Sequence, residues 1–265
     1  MTHIVITGGS RGIGSGLVEA FALRKCKVTF TGTSDKSIRS AYESFDNNLN
    51  PEMVKGVVCD VRKKADIEML WDFATKLNGE IDIWINNAGV ANSEQKAGLI
   101  DPHELESVID INIKGLLACC KIAYEKMSKQ GSGEIYNMGG LGSDGRMVEG
   151  LAPYGMSKRA VQYYTKAFAK EIQGEDVTMS LLLPGMVVTD MILDPIRKDP
   201  EGSRKARKIF NILAEEVEVV AEFLVEHILT NEKNGAVISY LTPFKAFSRF
   251  ITRPFSGRDI ITAKL

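Results

Sequence analysis

A doubly wound α/β fold is what this chain predicts: one domain, seven parallel strands in a sheet, helices on both faces. Three observations carry that expectation. Short apolar runs alternate with segments of helical period from one end to the other. The runs are continuously apolar rather than alternating, as in strands covered on both faces. The first run passes straight into a glycine-rich turn and then a helical pattern, the context that gives weight to a glycine motif. Right-handed crossovers between such parallel strands wind helices onto both faces of the sheet.

The elements follow in order. His3–Ile6 is a β-branched run that reads as the first strand. Ile13, Leu17, Val18, Phe21 and Ala22 recur at helical spacing behind it. Residues 28–31 read as the second strand, 37–45 as a short helix and 54–61 as the third strand. A helix over 63–77 carries Ile67, Leu70, Trp71 and Ala74 on one face, and 81–85 is the fourth strand. One long helix is expected over 104–127, a fifth strand over Gly133–Met138, and a helix over 154–172. Val177–Leu183, Val217–Leu229 and 236–240 complete the pattern as strand, helix and strand.

Composition narrows the function classes. With 265 residues the chain suits one large domain. The 33 basic and 34 acidic residues give no bulk charge for binding nucleic acid. Met1-Thr2-His3 leads directly into a strand, so no signal peptide is expected, and no stretch reaches the ~20 apolar residues of a membrane span. Cys26, Cys59, Cys119 and Cys120 lie in or beside apolar segments without metal spacing, which predicts reduced core residues and a cytoplasmic protein. His3, His103 and His227 are scattered, so no metal is expected.

The glycine turn runs Thr7-Gly8-Gly9-Ser10-Arg11-Gly12-Ile13-Gly14. Glycine lets backbone N–H groups approach a pyrophosphate, and a helix start adds unpaired donors and partial positive charge. A plain glycine-rich strand–helix turn is the competing account of these eight residues. The second strand ends in Gly32-Thr33-Ser34, without the acid that NAD-selective folds place there for the ribose 2′-hydroxyl. Arg11, with Thr33 and Ser34 as further donors, suits a 2′-phosphate, although a loop arginine can equally be solvated.

Tyr154-Gly155-Met156-Ser157-Lys158 is the pattern that carries chemistry. Residues four apart share a helix face, and an ammonium beside a phenol favours the phenolate, so Tyr154 is expected to titrate below its usual ~10. Alone, such a pair arises often by chance. Here it follows the glycine turn, Asn86-Asn87-Ala88-Gly89 and Asn112 in order.

In that order and spacing the chain resembles the short-chain dehydrogenase/reductase family, over roughly residues 3–190. The resemblance implies a Rossmann fold and an NADP(H)-dependent carbonyl reductase or alcohol dehydrogenase acting on a small-molecule carbonyl or alcohol. It implies Gly8, Ser10, Arg11, Gly12, Ile13, Gly14, Thr33 and Ser34 on the dinucleotide. It also implies Asp60 and Val61 at the adenine, Asn87, Ala88 and Gly89 along the cofactor, and Pro184, Gly185, Val187 and Thr189 at the nicotinamide. Tyr154 is then the proton donor, Lys158 its partner and a ribose ligand, and Asn112 the support of the proton relay; a satisfied core amide is the other account of Asn112.

One departure stands out. The family's fifth strand runs into a serine pair, and a serine about thirteen residues before the tyrosine polarises the carbonyl. Here Met138-Gly139-Gly140-Leu141-Gly142 fills that stretch, and Ser143 is the nearby hydroxyl. Ser143 is a candidate substrate donor or a surface loop serine. The glycine-rich run, Pro184-Gly185-Met186-Val187-Val188-Thr189-Asp190, Phe210-Asn211-Ile212 and Tyr240-Leu241-Thr242-Pro243 look like the chlorophyll(ide) b reductase branch, whose members reduce a ring formyl group. A non-catalytic NADP-binding regulator is the rival that the missing serine supports.

The domain is expected over 1–243, with 191–213 covering the substrate; the charges there, including Lys205, suit a solvated face. Over 244–265 a tail sets Phe244, Phe247, Phe250 and Ile251 at helical spacing among Lys245, Arg249 and Arg253, with Pro254 and Phe255 after them. Packing on the body or a sister subunit is the favoured account, and contact with a membrane surface the other. Apolar residues on several faces of the two long helices (Leu116, Leu117, Cys120 and Ile122; Val161, Tyr164, Phe168 and Ala169) predict a homodimer or homotetramer.

Overall fold

The computed structural model describes residues 1–46, 49–256 and 259–264. Seven parallel strands lie in the order β3-β2-β1-β4-β5-β6-β7: β1 His3–Ile6, β2 Lys27–Gly32, β3 Val54–Val58, β4 Ile83–Asn86, β5 Gly133–Met138, β6 Val177–Leu183 and β7 Val237–Ser239. The order reverses at β1, between β2 and β4. This is the crevice where doubly wound sheets bind ligands.

Two apolar layers cover the sheet. On one face α1 (Gly12–Leu23) and α9 (Val217–Leu229) bury Leu17, Val18, Phe21, Val220 and Leu224 against Ile4, Ile6, Phe30 and Ile85. On the other, α3 (Lys64–Asn78), α5 (Leu116–Gln130) and α6 (Ala152–Glu171) bury Trp71, Cys120, Ile122 and Val161 against Val5, Trp84, Ile135 and Leu181. The remaining helices are α2 (Asp35–Ser44), α4 (Pro102–Ile109), α7 (Asp190–Lys198), α8 (Arg204–Leu213) and α10 (Pro243–Ser256). Leu116, Cys120, Ile122, Val161 and Ala169 are buried in the chain's own core, while Leu117, Met156 and Tyr163 stay exposed.

The second layer holds a buried polar chain. Trp84 Nε1 donates to Asn86 Oδ1 at 2.7 Å, Asn86 Nδ2 to Asn137 Oδ1 at 2.8 Å, and Asn137 Nδ2 to Thr165 Oγ1 at 3.0 Å. Fully satisfied, such a chain locks β4 and β5 in register under α6. It explains Asn86 as a structural residue.

The largest departures from the sequence reading lie in the third strand, the long helix and the segment after β6. The third strand stops at Val58, because Asp60 N–H turns to Asp66 Oδ2 (3.0 Å) and leaves the ladder. The single helix expected over 104–127 is α4 and α5 joined by a π-helical turn, Asp110–Gly115. The segment 191–213, expected as a solvated cover, is α7 and α8 with an apolar underside: Leu193, Ile196 and Ala214 pack on Val188 and Ile261. The side chains of Lys205, Arg253, Pro254 and Phe255 lie outside the described residues.

Candidate active site

The glycine turn is shaped from within the protein. Gly8 has φ +64°, and Gly8 N–H donates to Thr31 Oγ1 at 2.9 Å, tying the turn to β2. A Cβ on Gly14 would fall 2.3 Å from Gly8 O, so the first turn of α1 folds back on β1 only with glycine there. Asn87 closes the turn from the β4 side: Nδ2 donates to Thr7 O (3.1 Å) and Gly8 O (2.8 Å), and Thr7 Oγ1 accepts from Asn87 N and Ala88 N. Asn87 and Ala88 therefore hold the loop as well as border it.

Beyond the turn α1 begins without a side-chain cap, Arg11 standing extended and exposed at its start. The first-turn N–H groups are left for an anion. Ser10 lies beside the end of β2, its Cβ 3.3 Å from the position a side chain on Gly32 would take. Ser34 caps α2, accepting from Ser37 N at 3.2 Å, which leaves its own hydroxyl proton to give; Thr33 is exposed next to it. Ser10, Arg11, Thr33 and Ser34 thus line one edge of the turn. Asp60 is gripped by Arg62, whose Nε and Nη2 donate to it at 2.8 and 2.7 Å. That grip holds the carboxyl below its ordinary range. Val61 is buried behind it. Pro184 and Gly185 turn the chain after β6; Val187 is buried, and Thr189 Cγ2 stands 3.2 Å from where a Gly12 Cβ would be. The loop after β6 therefore crosses the start of α1, close to Ile13. These residues fit a dinucleotide: uncapped donors for the pyrophosphate, a cationic and hydroxyl edge for the ribose, and no acid at the end of β2, where Gly32-Thr33-Ser34 stand.

The second cluster converges on Lys158. Its ammonium is buried, donates to Met138 O at 3.0 Å, and stands 3.4 Å from the position a Gly89 Cβ would take, with Asn112 Oδ1 3.3 Å from the same point. Asn112 sits in the π turn; it accepts from Val90 N (2.9 Å) and donates to Val90 O (2.8 Å) and Ser157 Oγ (3.0 Å). A π turn inside a helix commonly marks a functional position. Ser157 in turn donates to Tyr154 O at 2.7 Å, so Asn112, Ser157 and the first turns of α6 form one unit.

The Tyr154 hydroxyl points at Gly140: a Cβ there would lie 2.6 Å from it. Lys158 Nζ is 5.8 Å from the Tyr154 ring centroid. Burial governs both groups. It pushes Tyr154 up to about 12 and Lys158 down to about 8. The expectation of a Tyr154 titrating below its usual value is therefore corrected: desolvation of the phenolate outweighs the ammonium. The Tyr154 phenol stays protonated at neutral pH.

Ser143 bonds to the same loop and to α6. Its Oγ donates to Lys158 O at 3.2 Å and accepts from Gly140 N at 3.0 Å, and the residue is buried. The surface loop serine of the sequence reading does not describe it. Ser143 pins the glycine loop onto α6.

Asn92 was missed. It is buried; Oδ1 accepts from Tyr154 N at 3.2 Å, and Nδ2 donates to Gly150 O (2.8 Å) and Ser93 O (2.7 Å). It caps α6 from 62 positions away, where Leu151 offers no side-chain cap. Capping signals are local, so sequence gave no pointer to it.

The comparisons agree with this geometry. The model of the short chain dehydrogenase family matches residues 2–199. The chain is 36% identical over 261 residues to the chlorophyll(ide) b reductase NOL, chloroplastic, of Oryza sativa subsp. japonica, covering 95% of this chain and 74% of the relative. It is 35% identical over 264 residues to the protein of the same name from Arabidopsis thaliana, covering 96% and 74%. Among solved structures, levodione reductase superposes with a TM-score of 0.81 at 23% identity, covering 92% of this chain and 98% of that one, a likeness of fold. The cytoplasmic location expected from the cysteines is overturned by these relatives, which are chloroplastic. Buried reduced thiols are equally at home in any compartment without an oxidising lumen.

Proposed function

The chain belongs to the short-chain dehydrogenase/reductase family, and from that premise we propose that it is an NADPH-dependent reductase of a formyl group on a large apolar substrate, of the kind the chlorophyll(ide) b reductases act on. We assign it to the same compartment as those relatives, the plastid. The observation that carries the reading is the convergence of Tyr154, Lys158 and Asn112 at the carboxyl ends of β4 and β5, with glycine at 140 beside the phenol.

A bound nicotinamide dinucleotide supplies the hydride. The chain's residues do the rest. Ser10, Arg11, Thr33 and Ser34 hold the phosphate-bearing ribose, and the start of α1 the pyrophosphate. Tyr154, protonated because burial disfavours its phenolate, gives its Oη proton to the carbonyl oxygen as the carbon accepts hydride. Lys158 stabilises the phenolate so formed and returns a proton to it, held in place by Met138 O. Gly140 leaves the space beside Oη without a side chain, which suits a bulky ring carrying its formyl group.

The test is turnover of chlorophyllide b with NADPH. Loss of the formyl absorption, with one NADPH oxidised per formyl reduced, is expected. Tight NADPH binding without turnover of this pigment or of simple aldehydes would favour the regulator instead.

A further inference from the structure

The helix α10 is docked inside out. Lys245 and Arg249 face the body: Lys245 Nζ lies 3.3 Å from the centroid of the Tyr240 ring, and Arg249 donates to Leu213 O at 2.8 Å and pairs with Glu215. Glu215 in turn belongs to the segment paired with the loop after β6, through Val188 N to Glu215 O at 2.9 Å. The apolar stripe points outward, with Phe244 81%, Phe247 64%, Phe250 50% and Ile251 56% exposed. A helix packed on its own domain ordinarily buries such a stripe. A clustered exposed patch of this kind marks an interaction surface.

The neighbouring helix names the partner's chemistry. α8 packs against α10, and the sequence from 204 to 213 holds Arg204, Lys205, Arg207 and Lys208 and no acid; 243–256 holds none either. Arg204, Lys208 and Ile209 are exposed on α8. Glu201 approaches Arg204 at 3.7 Å, an exposed pair that cancels little. Asp259 lies near enough to Arg207 to feel its charge, on the tail side of α8. Aromatic residues bordered by cations fit the boundary of an anionic bilayer, where the rings enter the headgroup region and the cations meet lipid phosphates. A second copy fits worse. A two-fold contact would face this patch with a second copy of itself, setting two surfaces rich in cations of one sign against each other. Among the described residues no helix is long and apolar enough to cross a membrane, so the contact is with a surface.

We propose that the α8–α10 face docks this protein on the surface of an anionic bilayer. The inference stands apart from the reductase reading, because vesicle binding needs no turnover. The test is flotation of the full chain with vesicles of phosphatidylcholine alone and of phosphatidylcholine with about one third phosphatidylglycerol. Wild type is expected to float with the anionic vesicles and about tenfold less with the zwitterionic ones. Phe244→Ser with Phe247→Ser should lower anionic binding about tenfold or more, and Lys208→Glu should weaken it while leaving zwitterionic binding unchanged. Melting temperatures check that the variants fold; all changed positions are exposed. No flotation of folded wild type, or undiminished flotation of the folded double variant, overturns the proposal. So does a drop in solution mass for the double variant without any vesicle binding by wild type, which would assign the face to a second copy.

Discussion

The two walls of the site are built from different material. The wall around the start of α1 is backbone: uncapped N–H groups, a glycine turn, and side chains of Thr7 and Asn87 that serve to hold that backbone. The wall around Tyr154 is side chain, buried and cross-linked between segments far apart in sequence: Asn112 to Ser157, Asn92 to Tyr154, Ser143 to Lys158. Backbone sites depend on shape and fail when shape is filled. Side-chain sites depend on single groups and fail when one is removed.

The largest effect expected from this contrast is on the side-chain wall. Tyr154→Phe keeps the ring and deletes the proton, so single-turnover reduction should slow by about 10²–10⁴-fold with NADPH affinity little changed. An unchanged rate would remove Tyr154 from the chemistry. On the backbone wall the matching experiment is Gly14→Ala. Its Cβ would meet Gly8 O at 2.3 Å, so the turn must open. A loss of about 1–3 kcal/mol in urea denaturation is expected, together with weaker dinucleotide binding. Full stability would mean that the turn yields more easily than its packing implies.

The contrast also sets what the sequence could disclose. The parallel, doubly wound sheet, the glycine turn and the Tyr154/Lys158 pair were legible because each rests on local spacing: apolar runs, a strand–turn–helix context, residues one helical turn apart. The partners of Asn112, the cap from Asn92 and the partners of Ser143 were not, because each needs two segments brought together by the fold. The direction of the Tyr154 shift was misjudged for the same reason. Spacing put an ammonium nearby, but burial, which decides the sign, is a tertiary property.

A smaller effect tests the edge between the walls. Arg11→Ala should weaken NADPH about tenfold or more, and NADH far less, since a charge-assisted contact to a 2′-phosphate is absent with NADH. Equal losses in titration calorimetry would mean that Arg11 contacts the pyrophosphate or nothing.

Burial of Lys158 makes a further mark on the pH dependence of stability. Its pKa falls from 10.5 in the unfolded chain to about 8 in the folded one, so between those values the unfolded state binds the extra proton. Stability from this group therefore rises with pH across that window. Tyr154 acts oppositely, since its raised value makes stability fall as pH climbs above 10. Urea midpoints of wild type and Lys158→Met, compared at about pH 7.5 and about pH 9.5, should show the rise in wild type alone. Parallel curves would mean that Lys158 keeps its ordinary pKa.

The smallest effect on turnover is expected at Ser143, and it separates the two kinds of wall most sharply. If Ser143 donated to the substrate carbonyl, Ser143→Ala would cost about 100-fold in rate with stability almost intact, as for a lost oxyanion donor. Here its hydroxyl is spent on Lys158 O and Gly140 N, both inside the protein. Removing it leaves the part-buried Gly140 N–H without its acceptor and Lys158 O with its helical partner alone, for about 1–3 kcal/mol of stability. The rate should then fall only severalfold, because Gly140 loosens beside the Tyr154 hydroxyl while the proton donor remains. Ser143→Thr keeps the hydroxyl but adds a methyl in a packed corner, so it should recover part of the stability and little of the rate. Single-turnover rates and urea midpoints measured on the same samples decide the matter. A hundredfold rate loss with an unchanged midpoint would turn Ser143 back toward the substrate; a lowered midpoint with a modest rate loss makes it the pin that holds the glycine loop against α6.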